Sequence, residues 1–155
     1  MTTRTGDTLS TAIKENFQTA YVTGDSDAAR AAVSDALNIH DFDLLDVHLN
    51  VIDDDDKKIG EIELKVTFAL DRTVEIVEPV VDPFDTFTVD PSGTVLQFHH
   101  LGSAVADLDE SVGEARERGL PVLRVSVPGL AEVAFIDLRQ MGGHYLELLP
   151  LAALG

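Results

Sequence analysis

Two stretches of the chain alternate strictly between apolar and polar residues. Leu45, Val47, Leu49 and Val51 take turns with Asp46, His48 and Asn50, and Ile62, Leu64, Val66 and Phe68 take turns with Glu61, Glu63, Lys65 and Thr67. A period of two belongs to a strand with one buried face. Strands are therefore predicted over 43–52 and 59–70, and shorter apolar runs predict others over 73–80, 122–127, 131–138 and 144–149. Helical spacing replaces this period twice. An Ala-rich run from Ser26 to Leu37 offers Ala28, Ala32 and Val33, or Ala29, Val33 and Leu37, as a buried stripe. In a second helix Asp107 is placed to cap, Glu110 stands where a capping-box acid would, Leu108, Val112 and Ala115 share a face, and Gly119 ends it.

The order of these elements repeats. Residues 17–27, FQTAYVTGDSD, align without gaps on residues 99–109, HHLGSAVADLD, and each segment reads as a short strand, a turn with D-x-D and the start of a helix. The ends match as well, because VEIVEP at 74–79 parallels LELLP at 146–150. Two copies of strand, helix and three strands make an α+β fold, two βαβββ modules whose curved half-barrel sheets share a cavity. The chain divides into an N-terminal extension (1–16), a first module (17–80), a linker rich in Asp and Pro (81–96) and a second module (97–155). The run Asp53 to Lys58 lies between two alternating strands and reads as a hairpin loop, since a calcium loop needs spaced ligands and a central Gly. The tail after Leu148, broken by Pro150, reads as a strand end followed by a cap over the barrel.

Composition narrows the chemistry. With 28 acidic against 11 basic residues the formal net charge is -17, and the few Lys and Arg are scattered, so neither nucleic acid nor an acidic membrane surface is an expected partner. No apolar run reaches the roughly 18 residues of a membrane helix, and the first residues lack the pattern of a secretory signal, so the expected location is cytoplasmic. The absence of Cys excludes thiolate zinc sites, iron–sulfur clusters and cysteine nucleophiles. Any metal must be held by nitrogen and oxygen. Neither a phosphate loop nor a G-x-S-x-G elbow occurs. Glu75 and Glu147, by contrast, interrupt apolar runs at equivalent positions of the repeat, where an unpaired buried carboxylate would cost several kcal/mol.

The segments FHHLGSAVADLDESV and AFIDLRQMGGHYLELLP, with the earlier FQTAYVTGDSDAA and VEIVEP, resemble the vicinal oxygen chelate superfamily, which includes glyoxalase I, methylmalonyl-CoA epimerase, extradiol dioxygenases and bleomycin-resistance proteins. The resemblance implies a divalent metal held by one residue from the first strand and one from the last strand of each module. Carried over, these are Gln18, Glu75, His100 and Glu147. Gln18 stands where a His is usual, and one imidazole, two carboxylates and an amide oxygen suit Mg, Mn, Co, Fe, Ni or Zn. The resemblance further implies catalysis by Glu147 or Glu75 as the group that moves a proton beside a carbonyl, in a metal-dependent isomerase, epimerase or lyase, with a small molecule as substrate and a homodimer as assembly.

The alternative is a non-catalytic binding protein of the bleomycin-resistance type, towards which Gln18 weighs. Dioxygenase chemistry fits less well, because its iron site resembles two His and one carboxylate. The charge disfavours highly anionic ligands such as CoA esters and favours a neutral, apolar carbonyl compound. His99 should face away from His100 and serve structure, and His144 should shape the turn before the last strand. Asp46, His48, Glu61 and Glu63 are candidates for a second acid or base if they face inward, although a solvated outer face suits them better.

Overall fold

The structure, a computed structural model, describes residues 7–129 and 131–154. After helix α1 (Thr8–Lys14) come β1 (Gln18–Val22), α2 (Ser26–Leu37), β2 (Asp43–Ile52), β3 (Lys58–Ala69) and β4 (Val74–Val81). The order then repeats as β5 (Gln97–Val105), α3 (Leu108–Glu117), β6 (Val122–Ser126), β7 (Glu132–Leu138), the short helix α4 (Arg139–Gly142) and β8 (His144–Pro150), and a 3-10 turn (Leu151–Leu154) closes the chain. Each main helix begins where an Asp side chain accepts a first-turn N–H: Asp25 from Ala28 at 3.1 Å and Asp107 from Glu110 at 3.0 Å. Asn38, in the left-handed region at φ 57°, stops α2.

The eight strands close into one barrel in the order β1-β4-β3-β2-β6-β7-β8-β5. The two halves meet along two seams. β1 runs antiparallel to β5, and β2 joins β6 through the pairs Asn50–Ser126, Val51–Val125 and Ile52–Arg124. The Asp-rich turn before β3 is lashed to the second half at this seam. Arg124 donates to the Asp53 carbonyl at 2.8 Å and to Asp56 at 2.6 Å while its Nε reaches Glu132 at 2.6 Å, and Arg116 holds Asp54.

Three apolar clusters form. Leu49, Val51, Ile62, Leu64, Val77, Val125 and Phe135 fill the barrel interior. Outside it, Ala115 and Leu108 of α3 pack on Ile136, Leu146 and Leu148, and Ala29 and Val33 of α2 pack on Ile76. Leu37, a candidate for the α2 stripe, is instead exposed, because the helix ends at that turn and Ile39 and Phe42 complete the contact.

Two regions depart from the sequence reading. The extension contains a helix: Leu9 and Ala12 of α1 join the cluster under α3, and the carboxylate of Glu114 accepts the Leu9 N–H at 2.8 Å together with the Thr8 hydroxyl. Residues 1–6 of that extension lie outside the described residues. The linker is more than a spacer, since Phe87 is buried in the barrel interior and the ring of Phe84 covers Gly60, where a Cβ would lie 2.6 Å from it.

Candidate metal centre

Strand alternation explains which side chains enter the barrel. Ile76 meets α2, so its neighbours Glu75 and Val77 point inward; Leu146 and Leu148 meet the α3 layer, so Tyr145, Glu147 and Leu149 point inward. In the parallel β5–β8 pair His100 stands beside Tyr145 and Gly102 beside Glu147, and across the β1–β5 seam Gln18 faces Gly102 and Ala20 faces His100. Four strands thus deliver Gln18, Glu75, His100 and Glu147 to one region of the wall.

The geometry suits a cation. Ligand atoms of Glu75, His100 and Glu147, all buried, lie within 4.8 Å of one another, close enough for one ion to touch all three. His100 Nε2 is 3.2 Å from Glu147 Oε2, a distance proper to an ion pair, yet the nitrogen makes no hydrogen bond. Gln18 Oε1 is likewise buried without a partner, while its amide nitrogen donates to the Arg72 carbonyl at 2.9 Å and so fixes which end of the amide faces the site. Buried polar atoms are almost always paired, so two unpaired atoms beside two buried carboxylates make a donor set that could take up a cation. The donor set of imidazole nitrogen, carboxylates and amide oxygen fits a divalent ion.

Electrostatics carries the same mark. Burial, and then the charge of Glu147, push the pKa of Glu75 up to about 7, against smaller opposing effects of His100 and Arg72. Burial opposes charge on His100, but Glu147 and Glu75 outweigh it and raise that pKa.

His99 does not face away from His100. The β1–β5 register shifts between Ala20, which pairs with His100, and Tyr21, which pairs with Phe98, so His99 is the extra residue of a β-bulge. The bulge turns its ring inward, 6% exposed, stacked between Phe87 at 4.7 Å and Tyr145 at 5.0 Å. Its Nδ1 lies 2.7 Å from His100 Nδ1 and its Nε2 lies 2.7 Å from the Thr86 carbonyl. Burial, then the charge on His100, lower its pKa to about 3. Alternation alone could not reveal this placement; the His-His doublet inside a strand was the one available signal.

The other candidates fall elsewhere. His48, Glu61 and Glu63 cluster on the outer face, with His48 3.6 Å and 3.8 Å from the two carboxylates, and Asp46 is exposed, so none of the four borders the cavity. His144 follows Gly143 at φ 77° and sits against Phe98, as a turn-shaping residue should.

Beside the site lies a cavity of about 190 Å³. Leu45, Val47, Val66, Phe68, Val127 and Leu149 give it apolar walls, Glu75 and Glu147 supply its acids, and Arg72 is the cation among its lining residues. Arg72 ends a run of three non-Gly residues with left-handed backbone, Leu70, Asp71 and Arg72, and its guanidinium rests 4.9 Å over the Phe68 ring. Sequence reasoning missed Arg72, Thr86 and Phe87, which lie in turns where periodicity is silent. Among the described residues no helix is long and apolar enough to cross a membrane.

Residues 17–135 match the family described as Glyoxalase/Bleomycin resistance protein/Dioxygenase superfamily. No curated protein sequence matches the chain. Among solved structures, methylmalonyl-CoA epimerase from Mycobacterium tuberculosis is 17% identical, with 88% of this chain and 87% of that chain covered and a TM-score of 0.53. A hypothetical protein from Bacillus halodurans C-125 is 19% identical over 88% of this chain and 93% of its own, with a TM-score of 0.56. A variant of the Streptomyces coelicolor methylmalonyl-CoA epimerase, in complex with 2-nitronate-propionyl-CoA, is 15% identical over 90% of this chain and 99% of its own, with a TM-score of 0.52. At these identities the likeness is one of fold.

Proposed function

Because the chain belongs to the glyoxalase/bleomycin resistance protein/dioxygenase superfamily, we propose that it is a divalent-metal-dependent isomerase or epimerase, with a lyase as the nearest variant, acting on carbon beside the carbonyl of a small apolar molecule. Gln18, Glu75, His100 and Glu147 hold the metal in this reading. One observation carries it: ligand atoms of the buried Glu75, His100 and Glu147 converge beside an apolar cavity, with Gln18 Oε1 buried and unpaired on the adjoining strand.

A bound divalent cation supplies positive charge that stabilises negative charge on a carbonyl oxygen. The chain's residues do the rest. Glu147 or Glu75 takes the proton from the carbon next to the carbonyl, and the electron pair of that C–H bond moves toward the oxygen. Return of a proton to the same carbon from the opposite side inverts it, and return to the neighbouring carbon isomerises the molecule. Burial and the charge of Glu147 push the pKa of metal-free Glu75 up to about 7, and a bound cation would favour its charged form, the form a general base needs. The Leu, Val and Phe walls exclude water from the exposed carbanionic charge.

Size and charge support a small, neutral ligand. The cavity is below the roughly 300–1,000 Å³ of sites for drug-sized molecules. The outer groove that shares Phe68 and Arg72 with it carries Asp41, Asp43 and Asp71, which repel polyphosphate. The CoA ligand of the Streptomyces epimerase complex is therefore not carried over. The apolar walls also favour a second reading, sequestration without chemistry.

The test is metal content by mass spectrometry of protein purified without chelator or affinity tag, followed by proton–deuterium exchange on a panel of small carbonyl compounds. Near-stoichiometric divalent metal with metal-dependent exchange is expected. Stoichiometric metal with tight ligand binding and no exchange favours sequestration; absence of metal, with no shift of the melting temperature by Mn or Co, sinks the metal reading.

A further inference from the structure

The strand doublet His99-His100 holds a second imidazole that the proton chemistry above does not use. Its hydrogen bonds have only one consistent direction. The Thr86 carbonyl can only accept, so His99 Nε2 carries a hydrogen and donates across the 2.7 Å contact. A buried neutral imidazole has a single N–H, so His99 Nδ1 is a bare acceptor. The 2.7 Å contact to His100 Nδ1 therefore needs a hydrogen on His100 Nδ1. In the neutral ring this leaves the lone pair on Nε2, the atom that faces Glu147 and makes no hydrogen bond.

We propose that His99 is a positioning residue that locks His100 in the Nδ1–H form, so that His100 Nε2 is presented as a ready metal ligand. The inference rests on the metal reading of the same four residues. The lock is built from the linker. Asp82 accepts the N–H groups of Phe84 at 3.3 Å and Phe87 at 2.6 Å, which fixes the turn that carries the Thr86 carbonyl and the Phe87 ring. Phe87 and Tyr145 then clamp His99 in the plane where both its nitrogens are engaged. The β-bulge at position 99 is what allows adjacent residues of one strand to face the same side. Outer partners that orient a ligating imidazole are worth about 10–100-fold in metal affinity.

His99→Phe keeps a flat ring between Phe87 and Tyr145 and removes both nitrogens; His99→Asn restores an oxygen acceptor near the Nδ1 position and gives up the ring. Two readouts are paired. In long-range proton–nitrogen spectra of the metal-free wild type, recorded at a pH high enough that His100 is neutral, His100 should be protonated at Nδ1 and bare at Nε2, and His99 the reverse. Calorimetric titration with Mn and Co should show a 10–100-fold loss of affinity in His99→Phe and recovery to within a few-fold of wild type in His99→Asn.

A wild type whose neutral His100 carries its hydrogen on Nε2 and none on Nδ1 overturns the proposal, whether or not the variants fold. So does a folded His99→Phe that binds metal within about threefold of wild type, and in both cases the metal reading stands. A wild type that binds neither ion overturns the metal reading and takes the ligand-presenting role with it, an outcome separate from either of the others.

Discussion

His100 Nε2 and Glu147 Oε2 stand 3.2 Å apart, buried, at the spacing of an ion pair and without a hydrogen bond between them. Such an arrangement is costly for two groups stabilising each other and cheap for two groups sharing a cation. Glu147→Gln keeps the shape and removes the charge. Metal affinity is expected to fall by more than the roughly 10–100-fold that loss of an outer partner costs, and proton exchange by roughly 10²–10⁴. At a pH where His100 is neutral, the melting temperature of the metal-free protein should hold or rise, because Glu75 loses a buried like-charged neighbour. Opposite movement of binding and stability marks a functional carboxylate; parallel losses would mark a structural one.

Glu75 sets a pH dependence whose sign can be worked out. Its pKa is about 7 in the folded protein against an ordinary 4.5, chiefly through burial and then Glu147. The folded state binds this proton more tightly than the unfolded chain does. Its contribution is therefore fully present below pH 4.5 and is lost as pH rises to about 7. The stability of metal-free Glu75→Gln relative to wild type should grow from near zero at pH 4.5 to ~3 kcal/mol at pH 8. Taking the difference cancels the opposite trend of His99, whose lowered pKa of about 3 withdraws stability as pH falls below 6.5. Denaturant titrations of both proteins across that range decide the matter, and a pH-independent difference contradicts the burial assigned to Glu75.

Gly102 is the space that lets Gln18 reach the site. A Cβ there would lie 2.9 Å from Gln18 Oε1 and 3.1 Å from Gln18 Cβ. Gly102→Ala must push the amide aside, and the Arg72 carbonyl that holds its nitrogen leaves little room to turn. We expect metal affinity to drop about tenfold while the fold persists. Calorimetric binding of Mn to the variant measures this, and unchanged affinity means Gln18 is no ligand.

How much of this could be read beforehand follows from what periodicity encodes. The alternating runs of β2 and β3 located two strands to within a residue, and the two D-x-D turns located two helix starts, because each rests on local chemistry. Glu75 and Glu147 stood out as charges breaking apolar runs. His99 did not, since a bulge comes from the pairing of distant strands and leaves no period in its own segment. Phe87 read as part of a linker, because its burial depends on where the barrel end lies. Arg124 and Arg116 read as scattered charges, and only the closed seam brings them to the Asp-rich turn.

Helix α1 escaped notice for a related reason: seven residues with two buried side chains are too few to show an amphipathic pattern. Its stability is tertiary. No side chain of its own caps it; Glu114 of α3 takes the Leu9 N–H and the Thr8 hydroxyl, and Arg118 donates to the same carboxylate at 3.2 Å. Burial raises the pKa of Glu114, but these hydrogen bonds and the Arg118 charge outweigh it and leave the carboxyl below its ordinary value. The contribution is thus present above about pH 4.5 and is lost as pH falls through the folded value. Glu114→Ala should cost about 1–3 kcal/mol, with Glu114→Gln between it and wild type. Hydrogen exchange should show the amides of α1 losing protection while β5 and β8 keep theirs. Metal binding should be unaffected, because Glu114 lies on the far side of the sheet from Glu147. If protection in α1 survives the Ala variant, packing of Leu9 and Ala12 alone holds the helix, and the carboxylate is not its cap.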